Sequence, residues 1–118
     1  MVVIDSTIIN WPAVIKYHGE NELTYVSSEL EWNSDADLSE FNYGESDRLI
    51  DSGGHVYHLE DKDSGYIYPI LTESTIPLYE FLSLVKLHAS AQGECCIEKM
   101  MFKSIAEGMK IVESLSQH

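Results

Sequence analysis

Arg48–Leu71 reads RLIDSGGHVYHLEDKDSGYIYPIL, and the way this stretch divides decides what the chain builds. Leu49 and Ile50, then Val56, Tyr57 and Leu59, then Tyr66, Ile67, Tyr68, Ile70 and Leu71 are β-branched, aromatic or aliphatic. They stand in short runs separated by turn chemistry, the sequence pattern of strands. Ser52-Gly53-Gly54 supplies the positive φ angles of a tight hairpin turn. Asp61-Lys62-Asp63-Ser64-Gly65 fits a longer loop with glycine in the left-handed position. Pro69 lacks an N–H, so the third strand is expected at a sheet edge or broken there. The prediction is a three-stranded antiparallel meander.

Upstream, Ala13–His18 alternates, with Val14, Lys16 and His18 on one side and Ile15 and Tyr17 on the other. A polar turn over residues 19–22 returns the chain through Leu23–Ser27, giving a first hairpin. Between hairpin and meander, residues 28–41 are dense in Asp and Glu. Ser28 followed by Glu31 matches a capping box, and Leu30, Trp32, Leu38 and Phe41 give a thin apolar face. One or two short helices are expected, interrupted over residues 33–37. Residues 1–12 read as an added strand or a loose extension, ended by Trp11-Pro12.

Downstream lies the longest helical pattern. Thr75 is a candidate cap, and Pro77 suits the first turn, where a missing N–H costs nothing. Leu78, Phe81, Leu82, Val85 and Ala89 recur at helical spacing, with Leu82 and Val85 at the centre of the stripe. Gly93 fits the position just past the helix end. Cys95–Met101 reads as a short strand or a helical segment, and the sequence leaves the two open. Ser104 with Glu107 is a second capping box, opening a helix from Ile105 to about Ser116. Gly108 falls inside it, at about 1 kcal/mol relative to Ala, and close approach to another backbone would explain it. The predicted class is α+β: a mainly antiparallel sheet from the N-terminal hairpin and the central meander, two C-terminal helices packed on one face, and a short acidic helix between hairpin and meander. Residues 1–118 are expected to form one domain, with 1–8 as an N-terminal extension.

The formal net charge is −13, from 20 acidic and 7 basic residues, and it is uneven. Residues 20–63 hold 13 acids and 2 bases, whereas residues 64–118 hold 6 acids and 4 bases. Such a field opposes nucleic acid and anionic membranes, which require Lys/Arg clusters, and favours a basic protein partner. No apolar run approaches the ~20 residues needed to span a bilayer. The start, MVVIDSTIIN, has no Lys or Arg and does not read as a signal peptide, so the cytoplasm is the expected location. Cys95 and Cys96 are adjacent and read as small buried thiols, with no further ligands at metal spacing.

Motif chemistry is sparse. There is no G-x-S-x-G, P-loop or G-x-G-x-x-G. Asn33-x-Asp35-x-Asp37 begins like a calcium loop but has Leu38 and Gly44 where glycine and glutamate belong; Asp61-x-Asp63 fails the same way. No metal and no cofactor are expected. His18 and His58, on strands expected to neighbour one another, with Asp51 or Glu60 as orienting carboxylate, form the candidate acid–base set of a small enzyme. The competing expectation is a non-enzymatic binding module that meets a basic partner through Glu29, Glu31, Asp35 and Asp37 and through sheet tyrosines Tyr57, Tyr66 and Tyr68. A third is a homodimer or larger homo-oligomer built through the tyrosine-bearing sheet.

Four segments carry a family resemblance: Ile9–Ser28 (INWPAVIKYHGENELTYVSS), Asp47–Leu59 (DRLIDSGGHVYHL), Cys95–Met100 (CCIEKM) and Ser104–Val112 (SIAEGMKIV). They resemble a small family of unknown function found in marine proteobacteria. The likeness runs from Ile9 through most of the chain and implies a bacterial protein without assigning any residue a role.

Overall fold

The computed structural model describes residues 9–63, 66–95 and 97–116, without the side chains of Lys62 and Asp63. The expected N-terminal extension, the Ser64-Gly65 part of the second hairpin turn and Cys96 lie outside the described residues. In chain order the elements are β1 (Ala13–Lys16), β2 (Leu23–Val26), α1 (Glu29–Ser34), α2 (Ala36–Ser39), β3 (Arg48–Asp51), β4 (His55–Asp63), β5 (Tyr66–Thr75), α3 (Leu78–Ala91), a 3-10 turn (Ile97–Lys99) and α4 (Ile105–Leu115).

The five strands form one sheet in the order β2-β1-β3-β4-β5, and every neighbouring pair is antiparallel. The hairpin and the meander join where β1 pairs with β3, Ala13 opposite Asp51 and Lys16 opposite Arg48. Alternation then sorts side chains to two faces. Ala13, Ile15, Leu49, Tyr57 and Leu59 face Trp32 and Leu38 of the short helices. Val14, Ile50 and Leu23 face Phe81 and Val85 of α3 and Met109 and Val112 of α4. The acidic helices thus cover the face opposite the C-terminal ones, giving two cores about one sheet.

Both predicted serine caps form, and in each the glutamate reaches the N–H one residue before the cap. The Ser28 hydroxyl accepts from the Glu31 N–H at 3.1 Å, and the Glu31 carboxylate accepts from the Ser27 N–H at 2.7 Å. In α4, Ser104 accepts from the Glu107 N–H at 3.1 Å while Glu107 accepts from the Lys103 N–H at 2.8 Å. Asp35 caps α2 by accepting from the Asp37 N–H. Gly54 (φ +85°) supports the first meander turn and Gly93 (φ +87°) follows α3. β5 is the edge strand that Pro69 called for.

Several local expectations are corrected. Asp61–Asp63 belongs to β4, with a register shift between Asp61 and Asp63, so cross-strand pairing continues into what read as a loop. Thr75 ends β5, and Pro77 is itself the residue capping α3, with no side-chain cap bond. Residues 97–99 form a 3-10 turn, which takes the helical side of the alternative left open for this segment, and Cys95 is exposed rather than buried. In α3 the fully buried residues are Phe81, Val85 and Ala89, and Leu82 is half-buried at the margin. Gly108 is required by rings, not backbone: a Cβ there would fall 2.7 Å from Phe102 Cζ and 2.7 Å from Phe81 Cε2. No helix among the described residues is long and apolar enough to cross a membrane.

Candidate functional site

The start of β5 lies against α1, and there three of the residues expected to meet a partner come together. Glu29, Tyr66 and Tyr68 line a cavity of about 230 Å³ with Trp11, Trp32 and Asn33. Trp32 is placed by the Ser28 cap, which starts α1 so that its fourth residue points into the core; it is 2% exposed and stacks on Tyr43 at 6.2 Å. Trp11 stands just before β1 and packs on the same core. From the other side, the rings of Tyr66 and Tyr68 lie 4.8 Å apart at 52°.

The polar groups of this cavity are few. The Tyr66 hydroxyl donates to Asn33 Oδ1. Burial raises the Tyr66 pKa, with further contributions from Tyr68 and from the Glu29 charge. The indole N–H groups of Trp32 and Trp11 are buried and have no hydrogen-bond partner among the described residues. Glu29 is exposed at the rim, and among the described residues its carboxylate makes no ion pair. The result is an aromatic hollow with one free carboxylate and no Lys or Arg in its wall. Aromatic faces attract cations, and the carboxylate adds full charge of the same sense.

The remaining candidates are distributed differently. Asp37 is exposed on α2, whereas the Glu31 and Asp35 carboxylates are engaged in helix caps. Tyr57 is fully buried, its hydroxyl donating to Asp51 Oδ2 at 3.0 Å, so it offers no surface to a partner. The expected His18–His58 pair is not assembled. β3 lies between β1 and β4, so Arg48 stands opposite both Lys16 and His58, and the two histidine-bearing segments are not neighbours. His58 Nε2 instead lies 3.5 Å from Glu60 Oε2. Asp51 is completely buried and occupied by the turn: Oδ1 accepts from the Gly53 and His55 N–H groups at 2.9 Å, and Oδ2 accepts from Asn10 and Tyr57. His58 borders a second hollow of about 410 Å³ with Arg48, Thr72 and Glu80. Among the described residues no cluster of His, Cys, Asp and Glu has the geometry to hold a metal ion.

Trp11, Trp32 and Asn33 escaped the sequence reading as site residues. Each had an adequate local explanation, a terminator before Pro12, a core position on a short helix, or a helix interruption. Their meeting with Tyr66 depends on contacts across more than thirty residues.

Comparison with known proteins bears on the family and the fold. The family model DUF4144, described as a protein structure with unknown function, matches residues 11–112. A solved structure described as the NMR structure of the protein from Shewanella amazonensis is 26% identical, covers 92% of this chain and 90% of its own, and superposes with a TM-score of 0.67. Curated proteins give no match.

Proposed function

We propose that this chain, which belongs to the DUF4144 family of unknown function, is a single-domain cytoplasmic binding module for a basic protein partner, and that it is not an enzyme. The observation that supports this most strongly is the convergence of Glu29, Tyr66 and Tyr68 with both tryptophans around one cavity on the acidic side of the sheet. Charge favours the same reading. Residues 29–40, which contain α1 and α2, carry five acids and no base, whereas residues 78–115 on the opposite face carry five acids and four bases. An acidic face opposed to a nearly balanced one raises association rates with basic partners, and added salt removes the gain as the screening length falls to ~8 Å or below.

The test is titration with a Lys/Arg-rich peptide at low and high salt, using the charge reversals Glu29→Lys, Asp37→Lys and Glu40→Lys. These three leave the Glu31 and Asp35 caps in place. Binding should weaken steeply with salt and with the reversals. Equal binding by the reversed variant and the native chain would overturn the proposal. Sedimentation of the free chain separates it from the homodimer reading, which requires self-association through a tyrosine-bearing sheet face or edge.

A further inference from the structure

We infer that the cavity between α1 and the start of β5 holds the guanidinium of an arginine side chain on the bound polypeptide. This rests on the reading of the chain as a binder of basic partners and names the group that enters.

Two features of the cavity select the ligand. Its wall contains two indoles and two phenols, a surface that attracts positive charge and gains from stacking on a flat cation. Its hydrogen-bonding capacity toward a cation is on the acceptor side: the Glu29 carboxylate and the remaining lone pair of Asn33 Oδ1, whose other position is taken by Tyr66.

Among biological cations, one matches both best. A quaternary ammonium would enjoy the rings but has no N–H to offer Glu29 or Asn33. A lysine ammonium has donors but is a compact, strongly hydrated charge that loses more on leaving water. The arginine guanidinium is planar, weakly hydrated, stacks on aromatic faces and carries five N–H donors in a fork that fits a carboxylate. Glu29 would take the fork at the rim, and Tyr68, 39% exposed, would close over the ring-facing side.

The chain contains two tryptophans and both line the cavity, so indole fluorescence and the indole N–H resonances report on this site. The experiment titrates the full chain with two peptides of equal length and charge, one with arginine and one with lysine at every basic position. Arginine should bind about fivefold more tightly, the size of a partly desolvated cation–π contact, and should shift both indole N–H signals. Tyr68→Ala and Glu29→Gln should each remove most of that preference while leaving the thermal transition close to native, since both side chains are exposed. Equal, salt-sensitive binding of the two peptides without indole shifts would overturn the arginine site and leave the acidic-surface reading standing. Tighter binding of a trimethyllysine peptide would overturn the guanidinium in favour of a quaternary ammonium. No binding of any peptide would overturn both readings.

Discussion

His88 is 2% exposed on α3, and its Nδ1 accepts from the Leu23 backbone N–H at 2.9 Å, joining the helix to the sheet edge at β2. That bond requires the neutral ring, since a protonated Nδ1 would face another donor. Burial lowers the His88 pKa, opposed to a lesser degree by Glu22. The linkage sign follows. Above the unfolded value of about 6.5 neither state holds the proton; below it the unfolded chain binds one and the native state does not. The stability associated with His88 is therefore present above that pH and is lost as pH falls toward the lowered folded value, by at most about 1.4 kcal/mol per pH unit. His88→Asn keeps an acceptor and cannot titrate. Urea unfolding at pH 7.5 and pH 5 should show the native chain losing more stability than this variant, and equal losses would mean that His88 is protonated in the fold.

At the scale of elements, α3 and α4 meet at Gly108, where the edge-to-face pair Phe81–Phe102 (6.0 Å, 61°) passes over the helix backbone. On an open helix face Gly→Ala stabilises by up to about 1 kcal/mol. Here the added methyl would need two buried rings to move, and overpacking of that kind costs about 1–3 kcal/mol. Gly108→Ala is expected to destabilise by about 1–2 kcal/mol in denaturant titration; a gain in stability would show that the rings relax freely. The same helices explain why capping was legible and packing was not. Ser28/Glu31 and Ser104/Glu107 act within four residues, so the sequence carries them completely. Which side of α3 goes inward depends on where the sheet lies, and the buried line runs through Phe81, Val85 and His88 rather than through Leu82.

For the molecule as a whole, a net charge of −13 on 118 residues opposes compaction. His55–Asp51 and His58–Glu60 lie within 4 Å of one another, and neither contact involves a Lys or Arg. Added salt screens the repulsion. The melting temperature at pH 7 should rise between about 10 mM and 0.5 M sodium chloride, across which the screening length falls from about 30 Å toward 3 Å. A transition that falls or stays constant would mean that local attractions outweigh the net field.

The sequence by itself determined the elements whose causes are local. Glycine at positive φ fixed the turn at Gly54 and the helix end at Gly93, serines fixed the two capped helix starts, and the missing N–H of Pro69 sent β5 to the edge. It also determined the α+β class, because the strand runs and helical stripes are periodic over short windows. Tertiary structure alone decided what depends on strand order and long-range contact. Inserting β3 between β1 and β4 kept the histidine-bearing segments from becoming neighbours, and burying Tyr57 and Asp51 beneath the acidic helices turned two candidate functional residues into supports for one turn. The cavity is the clearest case. Trp11, Trp32 and Tyr66 occupy three separate segments, and no period or spacing in the chain records that folding places them around one space.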